Sequence, residues 1–181
     1  MLGKINLIRA FSRNWVYRPI NDKKAGFTER YRSKSAFKLL ELNERYNFLK
    51  PGLRVLDLGA GKGGWTEVAV NCVQSTPENP LVLGVDIISA MNVSGSKFII
   101  ADVSQEESHS IIMKAIKHPV DVVLSDLSEK STKDPDIDCV MACSLSFDAL
   151  RIANLTLKPG GFMLIRMLAG LDEPEHFVRN K

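Results

Sequence analysis

Short, nearly unbroken apolar runs alternate along this chain with longer segments whose apolar residues recur at helical spacing. Arg54-Val55-Leu56-Asp57-Leu58, Leu81-Val82-Leu83-Gly84-Val85-Asp86, Lys97-Phe98-Ile99-Ile100-Ala101-Asp102, Val120-Asp121-Val122-Val123-Leu124-Ser125-Asp126 and Phe162-Met163-Leu164-Ile165-Arg166-Met167-Leu168 each predict a strand. The segments between them predict helices. One is capped by Ser33 and runs through Leu42, closed by the turn signal Lys50-Pro51-Gly52. Others cover residues 65–73, 108–117 and, after a loop at 130–136, about 138–155. Lys158-Pro159-Gly160-Gly161 predicts a turn into the last strand, and residues 172–181 the first turns of another helix. Strands that are apolar on both faces and alternate with helices indicate a parallel sheet covered on both sides. The expected fold class is therefore α/β, a doubly wound parallel sheet whose ligands bind at the carboxyl ends of the strands.

At 181 residues, with 45% hydrophobic and 25% charged residues, the chain has the balance of a single globular domain. No apolar run approaches the ~20 residues of a membrane span, so no membrane association is expected. Three cysteines, Cys72, Cys139 and Cys143, form no C-x-x-C pair and suggest a reducing compartment. Cys139 and Cys143 stand four residues apart, but no His or Cys partner lies nearby in sequence. Two core thiols explain them better than a metal site, and no metal is expected. His109, His118 and His176 are scattered and read as surface residues.

Charge is unevenly placed. Residues 1–38 carry ten Lys/Arg against two acids, a net +8, whereas residues 39–181 carry 14 basic and 19 acidic residues, a net −5. A basic arm on a mildly acidic body suggests an anionic partner such as RNA. Trp15 and Tyr17, interleaved with Arg13 and Arg18, are candidates for stacking on bases. The first 20 residues hold no acid, with Lys4, Arg9, Arg13 and Arg18 spaced among apolar residues, a composition equally suited to a mitochondrial transit segment. Residues 1–30 thus read as a basic arm or leader, and 31–181 as the folded domain.

The chemistry gathers at the strand ends. Asp57-x-Gly59-x-Gly61-x-Gly63 follows a strand and opens a helix, the setting in which glycines let backbone approach a nucleotide closely. Asp86, ending the next strand 25 residues after Gly61, suits ribose hydroxyls, and Asp102 an adenine amino group. Taken singly, each acid is more simply a helix cap or a solvated turn. Together Asp57, Asp86, Asp102 and Asp126 are expected on one rim, where they would repel a pyrophosphate. A nucleoside with a positive centre, such as S-adenosylmethionine, fits better. That argument ranks a methyltransferase above a nicotinamide-dependent oxidoreductase.

Tyr31-Arg32-Ser33-Lys34-Ser35-Ala36-Phe37-Lys38-Leu39, Asp57-Leu58-Gly59-Ala60-Gly61-Lys62-Gly63-Gly64-Trp65 and Leu124-Ser125-Asp126-Leu127 together resemble the FtsJ (RrmJ) ribosomal RNA ribose 2′-O-methyltransferases. With the acid-poor leader, the nearest likeness is to the mitochondrial large-subunit rRNA uridine methyltransferases. The resemblance implies a Rossmann-like S-adenosylmethionine-dependent methyltransferase fold and ribosomal RNA, or the large subunit, as partner. It implies cofactor contacts from Gly63, Gly64, Trp65, Asp86 and Asp102, to which the glycine loop and the strand-end acids add Asp57, Gly59, Gly61, Lys62 and Asp126 as expected contacts. It also implies a Lys-Asp-Lys-Glu group at the ribose, matched by Lys38, Asp126 and, at the second lysine, Arg166. The final Glu has no counterpart before Lys181. Lys62 stands where the family has proline, and Ser125-Asp126-Leu127-Ser128-Glu129 where it has Ser-Asp-Met-Ala-Pro.

Arginine stays protonated in proteins and cannot act as a base. Arg166 and the missing acid therefore motivate a second reading, a weak or inactive relative serving as an RNA-binding ribosome-assembly factor. The resemblance further implies seven strands in the order 3-2-1-4-5-7-6, so the domain is expected to lack its last two. Phe162–Leu168 would then be an unpaired apolar edge, and the chain is expected to self-associate.

Overall fold

The computed structural model describes residues 31–89, 92–128 and 131–167, together with the backbone of Asn6–Phe11. Ten elements follow in chain order: β1 (Asn6–Phe11), α1 (Ser35–Tyr46), β2 (Val55–Leu58), α2 (Gly64–Val73), β3 (Val82–Asp86), β4 (Ser96–Ile100), α3 (Glu106–Ile116), β5 (Val120–Ser125), α4 (Pro135–Thr156) and β6 (Leu157–Met167). The six strands form one parallel sheet in the order β1-β6-β5-β2-β3-β4.

Each central strand splits its side chains between two cores. Val55, Val82, Val122, Leu124 and Leu164 face α1 and α2, where they meet Ala36, Leu39, Leu42, Trp65, Val68, Ala69 and Val73. Leu56, Leu58, Val85, Val123, Met163 and Ile165 face α3 and α4, against Ile112, Ala149, Ile152 and Ala153. All four residues of β2 are buried, as expected of a strand with helices on both sides. The chain builds β3 and β4 outward from β2, then crosses back to place β5 and β6 on its other side. The crevice between the ends of β2 and β5 is therefore the topological switch point.

Several boundaries differ from the sequence reading. Ser33 does not cap α1: its Oγ lies 2.7 Å from Ser35 Oγ, and no side chain caps the helix at Lys34. Asp134 caps α4 by accepting from the Asp136 and Ile137 N–H groups, which starts that helix at Pro135 rather than near Asp138. The turn expected at Lys158-Pro159-Gly160-Gly161 is a bulge within β6. Val120 pairs with Leu157 and Val122 with Phe162, so residues 158–161 lie opposite Asp121 alone. Lys158 Nζ holds that Asp121 at 2.7 Å. Residues 172–181, Trp15, Tyr17 and His176 lie outside the described residues.

The largest difference concerns the sheet edge. Asn6–Phe11, read as part of a basic arm, forms a strand running parallel to β6, from Asn6 opposite Phe162 to Phe11 opposite Met167. The edge expected to be bare is paired, and the argument for self-association at β6 no longer holds. Deleting residues 1–11 should uncover that edge. Expected outcomes are a melting temperature lowered by about 2–4 °C for each kcal/mol of lost pairing and a larger apparent mass in light scattering. A truncated chain that stays monodisperse with unchanged melting would contradict the pairing.

Candidate functional site

The loop between β2 and α2 lies against the end of β5. Gly59 has φ +81°, and a Cβ there would stand 2.9 Å from the Leu127 backbone nitrogen, so only glycine fits between the two strand ends. The Gly59 and Ala60 N–H groups both donate to Val85 O, and the Asp126 N–H donates to Leu58 O at 3.0 Å. These bonds fix the loop and the Asp126 backbone to the sheet as one rigid rim.

Asp86 secures the loop from the other side. Its Oδ2 accepts the Gly61 N–H at 2.8 Å and its Oδ1 accepts the Ile88 N–H at 3.2 Å. The start of α1 closes over the same loop. A Cβ on Gly64 would overlap Ser33 Oγ, and Trp65, 3% exposed, donates its indole N–H to Ser35 O at 3.0 Å. The Arg32 N–H donates to Glu67 Oε2, and its guanidinium Nη2 donates to Asn92 O at 2.9 Å. The Arg-Ser-Lys-Ser and Gly-Gly-Trp segments singled out in the sequence are thus the two halves of one packed contact.

Between these elements lies a cavity of about 600 Å³, lined among others by Gly59, Gly61, Lys62, Gly64, Trp65, Asp86, Asp102 and Asp126. That is the volume class of a nucleoside-sized ligand. Asp102 joins it just beyond β4. Its Oδ1 accepts both the Ser104 N–H (3.0 Å) and the Ser104 O–H (2.7 Å), which hold its carboxyl below the usual range. The turn role weighed for it in the sequence therefore coexists with a place at the cavity, whereas the cap role does not hold: α3 has Gln105 at its N-cap position and no side-chain cap.

Two expected contacts are not among the lining residues. Gly63, at φ +85°, is the turn residue preceding α2. Asp57 sits inside β2, fully buried beneath the loop, with Oδ2 accepting the Thr66 O–H at 2.6 Å and Oδ1 unpaired. Burial is the main cause that raises its carboxyl to about 7; the Thr66 bond opposes this, and the charges of Asp126 and Asp86 add to it. Of the four acids expected on the rim, Asp86, Asp102 and Asp126 line the cavity and Asp57 does not.

Asp126, with a side chain 15% exposed, is raised by burial and lowered by the charges of Arg166 and Lys38. Arg166 Nε approaches Asp126 Oδ1 to 2.7 Å, an ion pair whose N–H is not aligned on that oxygen, so Oδ1 has no hydrogen bond. Lys38 from α1 and Arg166 from β6, widely separated in sequence, thus both bear on Asp126, which follows β5 and lines the cavity.

Sequence reasoning did not single out Ser33, Ser35, Ile87, Ile88, Ser104 or Leu127 as cavity residues. Ile87 and Ile88, 64% and 62% exposed, carried a usable signal: two apolar residues directly after a strand-ending acid. Among the described residues, no group of three or more His, Cys, Asp or Glu could hold a metal ion. No helix among them is long and apolar enough to cross a membrane.

Two measurements test this electrostatic picture. Because Asp57 binds its proton more tightly folded than unfolded, the folded state carries the extra proton between about pH 4 and 7. Stability should therefore fall as pH rises through that window, by on the order of 4 kcal/mol from this group. In denaturant titrations from pH 4.5 to 8.5, Asp57→Asn should flatten that fall; an unaltered pH dependence would mean that Asp57 does not titrate there. Asp86→Ala, which removes an acceptor and the Gly61 clamp together, should weaken S-adenosylmethionine binding by about 1–3 kcal/mol in calorimetry. Unchanged affinity would remove Asp86 from the site.

Comparison with known proteins agrees with this geometry. The family model for FtsJ-like methyltransferases matches residues 31–180. A ribosomal RNA large subunit methyltransferase E of Brucella canis is 36% identical over 174 residues, 95% of this chain and 72% of that protein. Its counterpart in Brucella anthropi is 35% identical over the same shares. A crystal structure described as a ribosomal RNA methyltransferase of Plasmodium falciparum superposes with a TM-score of 0.68 at 25% identity, covering 77% of this chain and 80% of that one. The cavity with its glycine loop, the acids that line it and the match along 31–180 carry one conclusion: the chain belongs to the FtsJ-like methyltransferase family and uses S-adenosylmethionine.

Proposed function

We propose that this chain methylates a ribose 2′-hydroxyl of large-subunit ribosomal RNA, on a uridine. The observation that carries the reading is that Lys38 and Arg166 bear on Asp126, which lines a cavity of nucleoside size. The names of the Brucella and Plasmodium relatives supply the substrate class.

The residues present fit the methyl donor. Asp86 and Asp102 offer carboxylates toward ribose and base, Gly59 and Gly61 leave backbone where side chains would intrude, and Ile87 and Ile88 offer apolar area. Bound there, S-adenosylmethionine supplies an electrophilic methyl group on a positively charged sulfur. The protein's contribution is then positioning and removal of one proton. Lys38 and Arg166 present positive charge where a phosphate backbone would pass, and the basic residues before position 39 extend that charge. The acid-poor first 20 residues support a mitochondrial address. Because β1 begins at Asn6, a leader cleaved beyond it would remove an edge strand.

The test is transfer of labelled methyl groups from S-adenosylmethionine to purified large-subunit rRNA, followed by nuclease digestion to nucleosides. The label should appear in a 2′-O-methyluridine, and a DNA copy of the same sequence should take none. RNA affinity should fall with salt by about one log–log slope unit per phosphate contact. Label on a base, or no label, would overturn the reading.

A further inference from the structure

Among the described residues three acids line the cavity, and two are already engaged by donors of the protein. Asp86 accepts from Gly61 and Ile88, and Asp102 accepts twice from Ser104. Asp126 differs: its buried Oδ1 accepts no hydrogen bond and is met by an ion pair instead. Arg166 takes the buried Oδ1 by charge at 2.7 Å, and among the described residues no donor is placed on Oδ2, so this cavity-lining carboxylate can meet a substrate hydroxyl. Arg166 itself offers only donors and has no lone pair to give. Lys38 acts on Asp126 as a positive charge, and an ammonium likewise has no acceptor.

We propose that in this chain Asp126, rather than the residue on β6, is the general base that takes the ribose hydroxyl proton, with Arg166 as the positioning residue that fixes its carboxylate. The assignment rests on the 2′-O-methylation reading above. In the step, the 2′-O–H bond breaks and its proton passes to Asp126 Oδ2. The ribose oxygen forms its bond to the methyl carbon while the carbon–sulfur bond breaks, its electron pair staying on sulfur to give a neutral thioether. Asp126 then returns the proton to water.

The charged groups facing Asp126 are Arg166 from β6, Lys38 from α1 and Asp57 from β2 beneath the loop. The two cations keep the carboxylate available as an anion, while burial keeps it basic enough to accept a proton. An arginine at 166 suits this division because it holds its partner without competing for the proton.

The experiment measures single-turnover methyl transfer to large-subunit rRNA against pH, beside a ¹³C NMR titration of the Asp126 carboxyl in the same full-length chain. The kinetic acid limb should coincide with the directly observed Asp126 ionisation. Asp126→Asn should lower the rate by about 10²–10⁴-fold and abolish that limb, while S-adenosylmethionine affinity changes less than tenfold. Arg166→Lys should keep the acid limb and shift it together with the NMR midpoint. A limb that persists in Asp126→Asn, or an NMR midpoint that does not match it, overturns the assignment while the methylation reading stands. If the wild-type chain transfers no methyl to rRNA at any pH, that reading fails and the assignment falls with it.

Discussion

The passage of the glycine loop between the ends of β3 and β5 is the constraint on which the site depends. Gly59 lies so close to the Leu127 backbone that a single Cβ would force the strand end outward, and Asp86 pins Gly61 from the opposite side. With the loop wedged there, α2 must start at Gly64, and Ser33 and Ser35 can close over it only because Gly64 has no side chain. Cavity floor, cavity wall and the placement of Lys38 one helical turn further on all follow from that wedge. Side-chain chemistry is added to a shape the backbone has already set.

Much of this was legible because both faces of the sheet are buried. Such strands must be nearly continuous apolar runs, and Val82–Asp86 and Val120–Ser125 can be read as strands without any partner in view. Acids at the ends of those runs then mark the rim. The same logic misplaced Asp57, because it stands one residue inside its strand. Strand alternation puts Leu56 and Leu58 on one face and Asp57 with Val55 on the other, under α2 and within reach of Thr66. Counting parity along β2, rather than noting an acid near a glycine loop, would have buried it.

The N-terminal strand was not legible for a different reason. Asn-Leu-Ile-Arg-Ala-Phe is too short to separate helix from strand by period, and its pairing partner lies more than 150 residues away. Local pattern carries no information about a contact of that range. The gathering of Lys38, Asp126 and Arg166 has the same long-range character, yet it was anticipated, because resemblance to a family supplies what local periodicity cannot.

Two acids beside the glycine loop, Asp57 buried and Asp126 partly buried, meet opposite fates. Asp57 has a hydroxyl for company and no cation, so burial favours its neutral form. Asp126 is nearly as enclosed but faces Arg166 and Lys38, and their charge opposes the cost of burying an anion. If Asp57 were also ionised, three carboxylates would bear on one loop and the repulsion would spread to Asp86, which holds Gly61. Raising the Asp57 carboxyl therefore eases the repulsion on Asp86 and Asp126 at and below neutral pH, because part of the charge beneath the loop is removed.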